Sequence, residues 1–259
     1  MSTLTTHTPA TRTTPSASNI GLCKFNTQDQ AIEVSDGTDW LVYDYDSLAV
    51  PTLSNTYSAS FDGVSDHLYF GTSATNKDIT LGTTDFALSL WFYPTSTTQD
   101  FLFRDTGGTN RVFILNGTLT IKYGTTISIT NAYQVNNWHH LVLERTSGTQ
   151  KVWINNILKS TVASQTTTFN VASIGYNSSS GYAFEGNIDE MSFHSQGLSA
   201  TDVSDIYNNG LPRNVAVGFN ATGWWRMGDA SSGTTITDQV GTENLTADGA
   251  ILTDTNVPS

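Results

Sequence analysis

The sequence has little cysteine, few charged residues and no long apolar run. Cys23 is the only cysteine of 259 residues, so no disulfide within the chain can support the fold, and we expect this thiol to act as a small buried apolar group. Residues 1–18 lack the apolar segment of a secretory signal, and nowhere do about 18 apolar residues follow one another. We therefore expect a chain that no classical signal exports and that does not insert into a membrane.

Basic residues are also scarce. Lys and Arg total 11 against 23 Asp and Glu, which gives a formal net charge of −12. Because proteins bind nucleic acids largely through Lys and Arg at phosphates, we expect no nucleic-acid partner. Polarity comes instead from Thr, which suits exposed strand faces, and from Ser, Asn and Gly, which suit turns. The composition therefore predicts an all-β fold.

The first fifty residues divide into two segments. Residues 1–18 are rich in threonine and nearly devoid of apolar side chains, which predicts a flexible arm, either a disordered tail or a segment that orders on a partner. Residues 19–50 carry three short strand patterns with an Asp36-Gly37 turn and predict a small β-meander. Three short strands are too few for independent stability, so we expect this module to serve in anchoring or oligomerisation.

Residues 51–259 carry many short strand patterns separated by turn residues. Phe86–Tyr93 is apolar on both faces, which predicts a central strand, while Asn116-Gly117 and Ser147-Gly148 indicate hairpins. Regular short strands of this kind predict a two-sheet sandwich or jelly roll. Further strands are predicted at Phe101–Arg104, Arg111–Leu115, Thr118–Tyr123, Trp138–Arg145, Gln150–Ile154 and Ile157–Val162.

Phe184–His194 reads as a strand that carries several polar groups. Alternation would place Glu185, Asn187 and Asp189 on one face and Gly186, Ile188 and Glu190 on the other. A short helix follows, because Ser199 is a candidate N-cap with Asp202 three residues on and Gly210 at the exit. The polar row is open to three interpretations: a catalytic site, a metal site or a set of turn-bonding groups.

Two groups of residues are candidate binding sites. Asp62, Asp66 and Asp189 offer hard oxygen ligands for Ca²⁺, the alternative being that they bond the backbone of nearby turns. His139 and His140 are adjacent on a strand, so their rings point to opposite faces and cannot chelate one ion. For a glycan, the candidates are Tyr123 and Tyr133 at the rim and the loop of Tyr176, Asn177 and Tyr182, whose alternative is a plain hairpin tip.

Four phrases resemble the concanavalin A-like, laminin-G-type jelly-roll superfamily: Phe61-Asp62-Gly63, Leu90-Trp91, Trp138–Leu143 with Val152–Asn155, and Gly186–Glu190 before the helix. The resemblance implies two curved antiparallel sheets with binding loops at the rim. A phrase typical of the opening strand, Trp224–Asp229, comes last here. We therefore expect residues 215–259 to complete the sandwich in permuted order, the alternative being a truncated second domain.

The superfamily includes glycosidases that carry three acidic residues at alternate positions of one strand. Here the middle position is Asn187, and Glu185 and Asp189 are roughly 13 Å apart along a strand, farther than two catalytic carboxyls stand. We therefore expect no enzyme, and no cofactor other than the Ca²⁺ considered above.

The meander resembles short hairpin modules of bacteriophage tail and fibre proteins, through Phe25-Asn26-Thr27, Ala31–Val34 and Asp36–Trp40. The prediction is a non-enzymatic bacteriophage virion structural protein, a capsid decoration, spike or fibre, assembled in the host cytoplasm and displayed on the virion surface. Capsid or tail proteins would bind its arm and meander, and it would form a homo-oligomer, a trimer by preference. The alternative is a carbohydrate-binding adhesin for a cell-surface glycan, and a glycoside hydrolase is the third alternative.

Overall fold

The structure, a computed structural model, describes residues 5–7, 14, 16, 18, 23–26, 31–44, 53–72, 75–177 and 182–259. The chain divides into two compact units, residues 1–52 and 53–259. No helix in these described ranges is long and apolar enough to cross a membrane. Most of the predicted arm at residues 1–18 lies outside the described residues, so that prediction stays a prediction.

The N-terminal unit contains one four-stranded sheet in the order β1-β2-β3-β4. Its strands are β1 Thr5–His7, β2 Cys23–Asn26, β3 Ala31–Ser35 and β4 Trp40–Asp44. β1 pairs in parallel with β2, and the other pairs are antiparallel. Asp36 closes the β3–β4 turn by accepting from the backbone of Thr38 and Asp39, each at 2.7 Å. Cys23 is exposed, so the expectation of a buried thiol was wrong.

The C-terminal unit is built from short strands and one helix, α1 Ala200–Tyr207, which runs into a 3-10 turn at Asn208–Gly210. The strands are β5 Ser58–Asp62, β6 His67–Thr72, β7 Thr75–Asn76, β8 Ile79–Gly82, β9 Phe86–Pro94, β10 Asp100–Arg104, β11 Arg111–Leu115, β12 Thr118–Lys122, β13 Ile127–Ile129, β14 His139–Thr146, β15 Thr149–Ile154, β16 Ile157–Val162, β17 Phe169–Val171, β18 Ser173–Ile174, β19 Tyr176–Asn177, β20 Tyr182–Ala183, β21 Glu185–His194, β22 Ala221–Trp225, β23 Ser231–Ser232, β24 Thr235–Ile236, β25 Leu245–Asp248 and β26 Ile251–Asp254.

Two large antiparallel sheets dominate this unit. The ten-stranded sheet runs β13-β12-β11-β10-β18-β6-β25-β24-β23, with β7 beside β6. The eight-stranded sheet runs β16-β15-β14-β9-β21-β5-β26, with β22 beside β21. β22, β25 and β26 come from the last forty residues, so the C-terminal segment contributes strands to both sheets.

The core lies between the two sheets and is rich in aromatic rings. Trp225 contacts Phe70 and Phe193 at centroid distances of 5.2 and 4.9 Å, and Phe86 stacks on Phe169 at 5.2 Å. These side chains are all at most 1% exposed, and burying apolar area of this kind stabilises the fold by roughly 25 cal/mol per Å². The strands and the two antiparallel sheets confirm the all-β prediction.

Local signals in the sequence predict the turns well. Asn116-Gly117 and Ser147-Gly148 all have positive φ, as tight hairpin turns require. Ser199 caps α1 by accepting from the amide of Asp202 at 3.1 Å, while its own amide donates to the Asp202 carboxylate at 2.8 Å. The helix ends before the predicted Gly210, because Asn208 adopts the left-handed conformation at φ 45°.

Candidate functional site

The outer face of the ten-stranded sheet combines aromatic and basic side chains. Alternate residues of β10, β11, β12 and β18 point into the core, namely Leu102, Phe103, Val112, Ile114, Leu119, Ile121 and Ile174. Since side chains alternate along a strand, with one bulge in β10, the residues between them face outward. We call this outward set, with the adjoining Tyr182, the aromatic–cationic face: Phe101, Arg104, Arg111, Phe113, Thr120, Lys122 and Tyr182.

Three aromatic rings form a row on this face. Tyr182 is 43% exposed and stacks on Phe101, with a centroid distance of 6.1 Å and an interplanar angle of 24°. Phe101 lies opposite Phe113 in the strand register, at a centroid distance of 5.5 Å, and the Lys122 ammonium stands 5.8 Å from the Phe113 ring. Phe101 is 2% exposed, so the ring area that a sugar can contact is that of Tyr182 and Phe113, beside the Lys122 ammonium.

Three cations form a second row beside the rings. Arg104 lies opposite Arg111, and Arg111 lies opposite Lys122, on three neighbouring strands. The Arg104 guanidinium donates to the backbone oxygens of Asp105 and Thr106 at 3.0 and 3.2 Å. Arg111 and Lys122 are partly exposed.

The hairpin β19–β20 carries the predicted glycan loop. In the strand register Asn177 lies opposite Tyr182, and the amide of Gly175 donates to Leu102 at 3.1 Å, which holds the hairpin beside β10. Gly175 has φ 87°, and a Cβ there would lie 2.4 Å from the Phe61 ring, so glycine is required. Residues 178–181 and the side chains of Tyr176 and Asn177 lie outside the described structure.

Two of the predicted rim tyrosines are core residues. Tyr123 is 1% exposed and Tyr133 is 5% exposed, so their placement at the rim was wrong. Tyr123 donates to the carbonyl of Thr167 at 2.8 Å and accepts from the buried guanidinium of Arg145. Burial raises the pKa of the Tyr123 hydroxyl. The sequence signal that was missed for Tyr123 is its position two residues after Ile121, on the core-facing side of the strand.

Asp62 and Asp66 bond the turn that lies between them. One oxygen of Asp62 accepts from the amides of Val64 and Ser65 at 2.8 and 3.1 Å, and Asp66 accepts from the Asp62 amide at 3.0 Å. The Val64 amide is the main reason why the pKa of Asp62 lies below its usual value, whereas burial raises the pKa of Asp66. These contacts are those of the turn-bonding alternative.

The structure does not bring Asp189 to this pair. Asp62 lies opposite Glu185 in the register of β5 and β21, so Asp189 is four residues farther along the strand. Among the described residues no group of three His, Cys, Asp or Glu side chains is placed to hold a metal ion. The Ca²⁺ site predicted at Asp62, Asp66 and Asp189 therefore stays a prediction, because the structure does not bring these three carboxylates together.

A bulge in β21 places two carboxylates side by side. Ile188, Met191 and Phe193 all point into the core, so two residues stand between the first two of them instead of one. The register with β9 shifts between Asp189 and Ser192, and Glu190 has φ 46°. The expectation that Asp189 and Glu190 lie on opposite faces was therefore wrong, because alternation fails across a bulge.

Both carboxylates of the bulge are buried and held by specific partners. Asn55 donates to Asp189 at 2.9 Å, while Trp224 and Arg226 donate to Glu190 at 2.6 and 3.1 Å. Burial, followed by repulsion from Glu190, raises the pKa of Asp189 well above its usual range. Burial also raises the pKa of Glu190 to about 7, although Arg226 and Trp224 oppose that shift.

Histidines on the same outer face of the eight-stranded sheet are buried and neutral. Ser89 lies 2.7 Å from His140, and Ser192 lies 3.0 Å from His194, whose other ring nitrogen donates to the Phe219 carbonyl at 2.9 Å. Burial lowers the pKa of His140 to about 3 and that of His194 to about 4. Val203 and Ile206 of α1 are also buried in the apolar cluster on this face, so these Ser–His pairs are covered.

The predicted row on β21 is divided between surface and interior. Glu185 is exposed, whereas Asn187 is buried and donates to Ser58 at 3.0 Å. His139 contacts Phe92 at 5.5 Å while His140 contacts Trp91 at 4.8 Å, so the two rings lie on opposite faces, as predicted. Nothing in this row resembles a pair of accessible carboxyls.

Comparison with known proteins identifies a family and a fold. The family model described as the concanavalin A-like lectin/glucanases superfamily matches residues 53–204. No curated protein matches the chain. The predicted concanavalin A-like, laminin-G-type sandwich is confirmed.

Several solved structures are similar to this chain at low sequence identity. A candidate carbohydrate binding protein from Bacteroides ovatus has a TM-score of 0.63 at 13% identity, with 88% of this chain and 69% of that chain covered. The heptameric SAP-like pentraxin from Limulus polyphemus has a TM-score of 0.49 at 15% identity, with 76% and 94% covered. Domains LG4-5 of the mouse laminin alpha1 chain have a TM-score of 0.42 at 15% identity, with 66% and 50% covered.

Proposed function

The chain belongs to the concanavalin A-like lectin/glucanases superfamily, and from this premise we propose that it binds a carbohydrate on its aromatic–cationic face. The observation that carries the proposal is the row of Tyr182, Phe101 and Phe113, which ends in an exposed ring. The similarity to the candidate carbohydrate binding protein from Bacteroides ovatus supports the same function. This function is the adhesin alternative of the sequence analysis.

We propose binding without catalysis. A glycosidase needs two carboxyls that reach opposite sides of a sugar ring, about 5 to 10 Å apart. Asp189 and Glu190 are adjacent, buried and bonded to Asn55, Trp224 and Arg226, so neither has access to a substrate. Glu185 is exposed but is separated from them along β21.

The test is glycan-array binding by the full chain, followed by titration of the best oligosaccharide. We expect Tyr182→Ala to weaken binding about tenfold, because loss of one aromatic contact worth about 1.4 kcal/mol corresponds to a tenfold change in affinity. Tyr57→Ala is the matched control, since Tyr57 is a 37% exposed tyrosine outside the aromatic–cationic face. Equal affinity of the Tyr182 variant and the wild type would contradict the proposed site.

A second proposed role is display on a bacteriophage particle. It is favoured by the separate N-terminal unit and by the β2–β4 hairpins, whose pattern resembles tail and fibre modules. In this role the unit binds capsid or tail proteins and assembles a trimer. The test is deletion of residues 1–50, after which the shortened chain should be absent from purified particles. If the shortened chain were still present on the particles, this role would be refuted, while the proposal of glycan binding would stand.

A further inference from the structure

The aromatic–cationic face concentrates charge in a way that needs an explanation. The whole chain has only 11 basic residues, yet Arg104, Arg111 and Lys122 occupy facing positions on three neighbouring strands. Like charges directly opposite each other destabilise a sheet. The row therefore carries an electrostatic cost that the fold alone does not require.

Part of that cost is offset within the protein. Arg104 donates to the backbone oxygens of Asp105 and Thr106 at 3.0 and 3.2 Å. In the described parts of the chain no carboxylate forms an ion pair with Arg111 or Lys122. Two partly exposed cations thus remain beside the aromatic row.

We propose that the ligand of this face is an anionic glycan, whose carboxylate or sulfate groups bind Arg111 and Lys122 while a sugar ring lies on Phe113 and Tyr182. This inference rests on the proposed function and specifies its ligand class. The planar guanidinium of Arg111 matches the two oxygens of a carboxylate or sulfate, and the Lys122 ammonium adds a second positive charge.

The dimensions of the cation row favour a short glycan over a nucleic acid. Three adjacent strands place the outer two cations roughly 10 Å apart, the length of one or two sugar units. A long polyanion would extend beyond this row onto a protein whose net charge is −12. Local attraction of one or two acidic groups is compatible with that overall charge, because salt screens interactions beyond about 10 Å.

The test titrates the full chain at two salt concentrations with four probes: a hyaluronan hexasaccharide, a heparin hexasaccharide, neutral chitohexaose and a 12-nucleotide single-stranded DNA. We expect an acidic hexasaccharide to bind at least tenfold more tightly than chitohexaose, with weaker binding at high salt. Arg111→Gln and Lys122→Gln should each reduce its affinity about tenfold. Lys159→Gln is the matched control, because Lys159 is an exposed strand lysine of the eight-stranded sheet and should leave affinity unchanged.

The outcomes separate this inference from the proposed function. Equal binding of chitohexaose and the acidic glycans, unaffected by Arg111→Gln and Lys122→Gln, would overturn the ligand class and keep glycan binding. DNA binding as tight as that of the acidic glycans, lost in the same variants, would also overturn it. Failure to bind any glycan, on the array or in titration, would overturn the proposed function itself. Thermal unfolding of each variant checks the fold, and its midpoint should equal or exceed that of the wild type.

Discussion

The outer faces of the two large sheets carry opposite chemistry. On the eight-stranded sheet, Asp189, Glu190, His140 and His194 are buried, and their pKa values are shifted towards the neutral forms. On the ten-stranded sheet, partly exposed cations stand beside a row of aromatic rings. The side chains that look most catalytic in the sequence are those that the fold covers. The proposed binding site lies on the outer face of the ten-stranded sheet. It is built from aromatic and basic residues, which a sequence does not mark as functional.

The largest expected effect concerns the buried carboxylates on the outer face of the eight-stranded sheet. Replacing Arg226 by Ala leaves Glu190 buried with one donor fewer, which should cost about 3 kcal/mol of unfolding free energy at pH 8. At pH 5 the cost should be smaller, because Glu190, with a pKa of about 7, is then protonated. Urea unfolding at both pH values measures it, with Arg213→Ala as the control for an arginine whose ion pair is more exposed. A loss that is equal at both pH values would contradict the assignment of charge to Glu190.

The next effect is a pH dependence of stability. The pKa of Glu190 rises from 4.5 in the unfolded chain to about 7 in the fold, so the folded state binds the proton more tightly. This contribution is complete below about pH 4.5 and is lost as the pH rises through 7. Relative to the Glu190→Gln variant, the wild type should therefore lose on the order of 2 kcal/mol of unfolding free energy between pH 5 and pH 8. If the unfolding free energies of the two proteins changed with pH in parallel, the raised pKa of Glu190 would be refuted.

His140 and His194 should give a pH dependence of stability of the opposite sign. Their folded pKa values of about 3 and about 4 lie below the usual 6.5, so the folded state favours the neutral rings. Their contribution is complete above about pH 6.5 and is lost as the pH falls through 4. His194→Gln should therefore flatten the acid side of the stability curve by about 2 kcal/mol of unfolding free energy, as measured by urea unfolding between pH 5 and 7. An unchanged acid slope would mean that His194 can be protonated within the fold.

The smallest expected effect on stability belongs to the binding face. Tyr182→Ala should cost about 1 kcal/mol of unfolding free energy, since the ring is 43% exposed and loses one stacking contact with Phe101, while it weakens glycan binding about tenfold. Arg226→Ala should leave affinity unchanged at temperatures where it is folded. If both substitutions reduced affinity equally, the two faces would not be functionally distinct.

Much of the fold was predictable because its signals are local. Strand patterns, the Asn116-Gly117 turn and the Ser199 cap each depend on a few neighbouring residues. The bulge at Glu190 was not predictable by alternation, because it depends on how β21 pairs with β9 and β22 across the sheet. Strand β1 carried no pattern that distinguishes it from the rest of the threonine-rich segment.

The candidate site was predictable only in part. Tyr182 was identified from its loop, but its stacking partner Phe101 and the alignment of Arg104, Arg111 and Lys122 depend on strand register. Arg111 and Lys122 are separated by eleven positions, and only the hairpin turn at Asn116-Gly117 sets them opposite each other. Counting outward from that predicted turn would have paired the two residues, and this is the signal that sequence reasoning missed.

Hydrogen exchange of the full chain, with and without a hyaluronan or heparin hexasaccharide at saturation, tests the separation of the two faces most directly. Bound glycan should slow exchange in β10, β11 and β12 and around Tyr182, and leave β21 unchanged. Slower exchange at Asp189 and Glu190 with none in β11 and β12 would contradict the account.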